Sequence, residues 1–530
     1  MGAAALAAAA HDPALGGLDG RDGDGAGPVR PPTAVSIVDA VWTALRPAGG
    51  VRPGIPGLVS AAGRVCGGQY LFLEPPAAVG SGVGGLPAQG ELWGHAGQSG
   101  PDGADSARFA ARRVCGRGCT AFGLPAGDGA AERAPGLSGN PAGRNECGRA
   151  VAGGAGVKVA CISTSRVPAD TANSIQVMKT CQGLARAGAE VTLLVPAHEA
   201  APAAWDALAE RYGLNTRFEI AWLPARRAWR RNDFAWLAVQ RAARVGARLI
   251  YTWTGQSAVW ALARGLPVIY EVHDLPTGRL GPLWFRLFLR LPGRKRLLVI
   301  TQALRDRLER RFGRLPEEMV IAPNGVDLEQ YTNLPEAPAA RRALGLPEAN
   351  TVLCAGHLYA GRGLDLFLGL AGKFPETSFV WVGGRPEDVA QARAAAAQRS
   401  LSNVIFTGFI SNRALPCYQA AADVLLMPYG RTIAGSSGGN SAEICSPMKM
   451  FDYLAAGRVI LSSDLPVIHE VLNERNAIFA PPDDLSGWTE ALKRILNDAE
   501  LRRRLGEQAR SDAASYTWLA RAQNALRGMA

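Results

Sequence analysis

The chain has 530 residues, 48 % of them hydrophobic and 19 % charged, with a formal net charge of +11, so it is long enough for two or more domains with cores of their own. The first 157 residues hold 35 of the 63 glycines, 12 Arg, 12 Asp plus Glu and no Lys, which leaves the whole charge surplus on residues 158–530. No apolar run approaches the ~18–20 residues of a membrane-spanning helix, and a helical membrane protein is excluded.

Residues 1–156 are rich in Gly, Ala and Pro and sustain neither helical nor alternating periodicity, so they bury too little apolar surface to offset the entropy of ordering. They are expected to be a disordered extension or a stretch read from a misplaced start. The first residues lack the basic segment of a secretory signal, and Leu6 stands where myristoylation needs Ser or Thr. Gly80, Gly82, Gly84 and Gly85 have no strand before them and no helix after them, unlike a dinucleotide fingerprint. The spacings of Cys66, Cys115, Cys119 and Cys147 fit no compact metal site. Cys161, Cys181 and Cys354 sit inside apolar runs, as buried thiols of a reducing, cytoplasmic protein do.

From residue 158 onward, apolar runs of five to seven residues alternate with helical stretches, the pattern of a parallel sheet with crossover helices. Strands are predicted at 158–164, 190–196, 248–252, 267–271 and 297–301, with an amphipathic helix at 173–187 ended by Gly188. After a linker marked by Pro335, Pro338 and Pro347, a second series runs through 351–358, 378–383, 403–407, 424–428, 458–462 and 477–480. Helices near 485–497 and 499–514 close it, and a last helix at 518–527 is placed to cross back. Two such sheets in tandem form a cleft between the carboxyl ends of their strands, where open α/β sheets bind ligands.

Over almost all of residues 157–530 this order of motifs resembles the group 1, or family four, retaining glycosyltransferases of the GT-B fold. The stretch KVACISTSRVPADTANSIQVMKTCQGLARAG is similar to the family's opening unit, whose loop lies over sugar and acceptor; Asp170, Thr171 and Asn173 fall in it, the last two as candidate helix caps. VIYEVHDLP resembles the strand end that carries a histidine beside the sugar. His273 is the candidate there, able to donate to a sugar hydroxyl, with Glu271 and Asp274 on the acceptor side. IAPNGVD is similar to the interdomain turn, with a positive φ expected at Gly325.

AGHLYAGRG matches the family's pair of cations on the donor diphosphate: Arg362 fits the second, and His357 stands at the first, where imidazole is charged only when protonated. VWVGG brings Gly383 and Gly384 to the same rim, allowing close approach of nucleotide or backbone. In GSSGGNSAEICSPMKMFDYLAAG, Ser446 before Pro447 reads as a helix N-cap whose free N–H groups suit a phosphate. Of the two acids that the family spaces eight apart, Asp452 matches the ribose-side one, while the sugar-side position falls on Ile444 with Glu443 adjacent. Lys449, in the Pro-x-Lys variant of this motif, joins the donor-binding set.

Beyond the low-complexity extension at 1–156, the resemblance implies a Rossmann-like acceptor-side domain at 157–333 with a crossing helix in 515–530, and a Rossmann-like nucleotide-sugar domain at 334–514. It implies a nucleotide sugar as donor, a glycan, lipid or small molecule as acceptor, no cofactor and no metal. A nucleotide-sugar epimerase or a catalytically silent GT-B binding protein are the alternatives; a dehydrogenase is disfavoured because no glycine fingerprint joins strand to helix. Residues 217–314 carry 20 Arg plus Lys against 6 acids. Arg226, Arg227, Arg230 and Arg231 lie beside Trp229 and Trp236, and LWFRLFLRLPGRKR interleaves Trp284, Phe285 and Phe288 with cations. This composition suits an anionic bilayer surface, and no nucleic-acid motif is present.

Overall fold

The computed structural model describes residues 156–197, 203–226, 232–433 and 441–529. The readings on residues 1–155, on Arg227, Trp229, Arg230 and Arg231, and on residues 435–440 lie outside them.

Apolar strands with both faces covered by helices pair in parallel. In the first lobe these are β1 (Lys158–Ile162), β2 (Glu190–Pro196), β3 (Glu219–Leu223), β4 (Leu249–Thr252), β5 (Val268–Val272), β6 (Lys295–Val299) and β7 (Met319–Ile321), in the order β3-β2-β1-β4-β5-β6-β7. Helices α1 (Ala172–Arg186), α2 (Trp205–Tyr212), α3 (Asn232–Arg244), α4 (Gly255–Ala263), α5 (Gly281–Arg290) and α6 (Gln302–Phe312) connect them. β3 and β7, which the sequence did not announce, are the edge strands. Their residues are largely half-buried, as befits strands paired on one side only.

The second lobe opens with α7 (Ala337–Leu344), then β8 (Thr351–Ala355), α8 (Leu364–Lys373), β9 (Ser378–Val382), α9 (Pro386–Gln398), β10 (Val404–Gly408), α10 (Leu415–Ala420) and β11 (Val424–Met427). It continues through α11 (Met448–Ala456), β12 (Val459–Ser463), β13 (Ala477–Ala480), α12 (Leu485–Asn497) and α13 (Ala499–Ala513), with strand order β10-β9-β8-β11-β12-β13. In each sheet the direction of strand addition reverses beside the first strand, at β1/β4 and at β8/β11, the switch points at which such sheets bind ligands.

The last helix, α14 (Trp518–Leu526), returns to the first lobe and lies on α1. Gly183 allows that approach, since a Cβ there would stand 2.6 Å from the Trp518 carbonyl oxygen. Ala522, Ala525 and Met529 complete the apolar core beneath. Gly325 has no positive φ, contrary to expectation; it is glycine because a Cβ would sit 2.9 Å from Trp518 N, where Val326 bridges to Thr517.

Of the basic and aromatic segment, the aromatic residues Trp284, Phe285 and Phe288 do not lie on the surface. Trp284, Phe285 and Phe288 recur at helical spacing and turn into the first-lobe core, Phe285 packing on Phe312 at 4.6 Å between ring centres. Lys295 caps the end of α5 through the carbonyls of Phe288, Leu289 and Leu291, and Arg296 holds those of Ala525 and Arg527. Trp236 on α3 does face solvent, at 49 % exposure. Among the described residues no helix is long and apolar enough to cross a membrane.

Candidate functional site

The loop after β8 and the loop after β11 meet at the carboxyl edge of the second sheet. Arg362 lies between Gly361 and Gly363, both at positive φ (79° and 84°), in the short connection to α8. A side chain at either glycine would run into the carbonyl oxygens of Thr432 and Pro428, so only glycine lets this loop press against the strand-end segment. Arg362 Nη1 then donates to the Tyr429 hydroxyl (2.9 Å), with its guanidinium 5.0 Å from the centre of that ring. Lys449, on the first turn of α11, places Nζ 5.0 Å from the same ring and donates to Cys354 Sγ at 3.7 Å. Burial pushes the Cys354 thiol up despite Lys449, so the sulfur stays neutral and leaves the lysine's charge uncompensated. Two cations on one tyrosine form a concentrated positive seat.

Gly383 and Gly384 are at φ 115° and 102°, and their glycine character serves packing. A Cβ on Gly383 would be 2.7 Å from the Gly356 carbonyl, and one on Gly384 2.9 Å from Leu358. His357 stacks on Tyr359 (4.9 Å, 10°) and donates Nε2–H to the Asp170 carbonyl across the lobes at 2.7 Å. That nitrogen is thus committed to the first lobe rather than to a phosphate.

Helix α11 differs from the expected form. Pro447, not Ser446, is its N-cap, with Met448 the first helical residue. Ser446 instead accepts Asn324 N at its hydroxyl (3.1 Å) and Asn324 Nδ2 at its carbonyl (2.6 Å), pinning the helix mouth to the interlobe turn. Glu443 is ion-paired with Arg307 of α6, so its carboxylate is engaged with the first lobe. Ile444 is 2 % exposed and belongs to the first-lobe core, while its carbonyl accepts from Thr301 Oγ1 (3.0 Å). The position where an acid was expected is an apolar plug. Glu470 adds another interlobe tie, accepting Gln302 N (2.7 Å) and Ala303 N (2.9 Å) at the start of α6, where a helix N-terminus favours a carboxylate.

Asp452 lies beside Tyr331, in a hollow of about 40 Å³ with Lys179, Asp327 and Asn412. That is room for a water molecule or two, far below the ~300 Å³ of the smallest ligand pockets. Burial, helped by the charge of Asp327, pushes its carboxyl up to about 7 against the opposing pull of Lys179 and Tyr331. Its expected place at a ribose is therefore not what this arrangement displays.

On the first lobe, Thr171 is the N-cap of α1, accepting Ser174 N at 3.3 Å, and Asn173 lies inside the first turn. Asp170 pairs with Arg211. His273 follows β5 and is 30 % exposed at its side chain, and Asp274 beside it is exposed. Glu271, expected on the acceptor side, is buried and fully engaged, accepting from His273 Nε2 (2.5 Å), Gln176 Nε2 (2.7 Å), Arg521 Nη2 (2.7 Å) and the Tyr251 hydroxyl. It cannot touch a substrate. Tyr429 and Arg521 were missed: the first could have been found as the residue closing the β11 run, whereas nothing near Arg521 in the chain signals its partner. Among the described residues no three His, Cys, Asp or Glu side chains are grouped to hold a metal.

Two Rossmann-like lobes, laced by the returning α14 and carrying a cation seat at the carboxyl edge of the second sheet, define a GT-B fold. Solved structures share it: sucrose-phosphate synthase from Thermosynechococcus elongatus at TM-score 0.54 and 19 % identity, covering 69 % of this chain and 96 % of that one. Anabaena HepE, solved with UDP-glucose, aligns at TM-score 0.54 and 17 % identity, covering 70 % and 98 %. Residues 174–330 match the model of Glycosyltransferase Family 4 and residues 349–498 that of Glycosyl transferases group 1, together more than half the chain. Each lobe thus matches a glycosyltransferase family model. Phosphatidyl-myo-inositol mannosyltransferase from Mycolicibacterium smegmatis is 28 % identical over 261 residues, 48 % of this chain and 62 % of that protein. The chain spans less than two thirds of the length of the curated relatives it matches.

Proposed function

We propose that this protein transfers a sugar from a nucleotide-diphosphate sugar to an acceptor, with retention of anomeric configuration. The observation that carries the reading is the pairing of Arg362 and Lys449 on Tyr429 at the carboxyl edge of the second sheet. Charge grows on the diphosphate as the sugar–oxygen bond breaks, and preorganised cations there lower the barrier without waiting for solvent. Arg362 offers a fork for two oxygens and Lys449 a point charge, so the scheme calls for no metal ion. His273 stands at the acceptor lobe, placed for a hydroxyl of the transferred sugar or of the acceptor. Attack on the face from which the diphosphate leaves gives retention.

Relatives named phosphatidyl-myo-inositol mannosyltransferase and 2-deoxystreptamine N-acetyl-D-glucosaminyltransferase support a lipid or small-molecule acceptor, in cell-envelope or glycan assembly. The free buried thiols Cys161, Cys181 and Cys354 suit the reducing cytoplasm. A catalytically silent binding protein is favoured by one observation, the replacement of the sugar-side acid by buried Ile444 with Glu443 paired away. The deciding experiment screens UDP-, GDP-, ADP- and dTDP-sugars for thermal stabilisation of the chain, then follows transfer from each stabilising donor and determines the anomeric configuration of the product by NMR. Stabilisation without transfer to any acceptor in a lipid, glycan and aminocyclitol panel selects the silent reading; an inverted product removes retention.

A further inference from the structure

Glu271 and His273 are two residues apart at the end of β5, so their side chains leave the strand on one face. Glu271 is 1 % exposed, and donors reach its carboxylate from α1 (Gln176), β4 (Tyr251) and α14 (Arg521) as well as from His273. Arg521 is itself fixed, giving Nε–H to the Pro323 carbonyl (2.9 Å), Nη2–H to that of Ala322 (3.2 Å) and Nη1–H to the Tyr251 oxygen (3.2 Å). Burial alone would push the Glu271 carboxyl up, but Arg521 and His273 outweigh it and hold the group well below the usual carboxylate range. Burial and the neighbouring Glu271 charge push the Tyr251 hydroxyl well above its ordinary value, so it remains a donor. Glu271 is therefore a permanent acceptor, and the nitrogen facing it must carry the proton. A buried charge of this kind is weak as a stabiliser compared with apolar packing. The part of this network that reaches the half-exposed edge is the His273 ring.

We propose that Glu271, braced by Arg521, Tyr251 and Gln176, is a positioning residue that fixes His273 as the Nε2–H tautomer and leaves Nδ1 to the cleft as a hydrogen-bond acceptor for a substrate hydroxyl. The hydroxyl rests on the transferase reading above; the tautomer does not. In that tautomer the ring accepts at the cleft, where the sequence suggested a donor. Arg521, 250 residues along the chain from Glu271, makes the returning helix part of the site's support.

The test labels the full chain with ring-nitrogen-15 histidine and identifies the His273 signals by their loss in His273→Asn. The expected wild-type signals are those of an Nε2–H ring, giving way to mixed tautomers in Glu271→Gln. Glu271→Gln and Arg521→Met should lower kcat about tenfold or more through lost ring placement. The Kd for UDP or GDP, whichever the chain binds, is set in the other lobe and should move by no more than about twofold. Arg521→Lys should recover part of the loss. Should Arg521→Met fail to fold, the nearly isosteric Glu271→Gln still decides. An Nδ1–H wild-type ring, or a Glu271→Gln protein with tautomer and kcat unchanged, overturns the proposal. If no donor supports transfer, the tautomer signal alone still tests it.

Discussion

Replacing Arg362 by Ala removes the one guanidinium that the glycine-flanked loop after β8 presents at the cleft. Its loss strips from the seat a cation bonded to Tyr429 at 2.9 Å, while Lys449 keeps its place 5.0 Å from the same ring. Removing one preorganised donor to a developing anion costs ~3–4 kcal/mol, or roughly 10²–10³ in kcat. Arg362→Lys keeps the charge but loses the fork, and a fall of about tenfold is expected. Initial rates at saturating donor measure both effects. Binding of the nucleoside diphosphate and monophosphate by calorimetry adds a second reading, because only the diphosphate should lose affinity. An Arg362→Ala enzyme turning over within about threefold of wild type would refute the assignment of Arg362 to the leaving group.

Gly363→Ala should cripple diphosphate binding and lower the melting temperature, since its Cβ meets the Pro428 carbonyl at a positive φ; differential scanning calorimetry and nucleotide titration check both. Asp327→Ala strands Lys179, whose Nζ is 2.7 Å from the lost carboxylate and keeps only the Gly213 carbonyl at 2.9 Å. A loss of about 3–5 kcal/mol in denaturant unfolding is expected, part of it recovered when Lys179→Met is added. Asp452 has its folded-state carboxyl raised from an ordinary 3.8 to about 7, so the native state holds a proton that the unfolded chain has released. Its contribution is complete below about pH 4 and is lost as pH rises to about 7. Asp452→Asn should therefore gain stability relative to wild type across that window and level off above it, as thermal melts at stepped pH will show.

The central strands were legible because β1, β2, β4, β5, β8, β9, β11 and β12 are covered on both faces and read as largely apolar runs. The edge strands β3 and β7 are short apolar runs, EIAWL and MVI, flanked by charged and Pro residues, and pairing with β2 and β6 defines them. At the site, Arg362 was legible through the resemblance of AGHLYAGRG to the family's pair of cations, whereas the close backbone approach at Gly361 and Gly363 appears only in the fold. The partnerships of Glu271, Ser446 and Glu443 did not, because each is set by a residue on another element: Arg521, Asn324 and Arg307. The aromatic residues of α5 misled for a related reason, since helical spacing gives an apolar stripe without telling whether protein or lipid covers it.

Ile444 belongs to the second lobe by chain order and to the first by burial. Any rotation that parts the lobes must either unseat this side chain or drag residues 441–447, and with them the mouth of α11, along with the opposite half of the molecule. On the proposed reading, widening the gap for a departing nucleotide is coupled to moving this wall, and Ile444 is the apolar tether beside the polar ties through Glu443, Ser446 and Glu470.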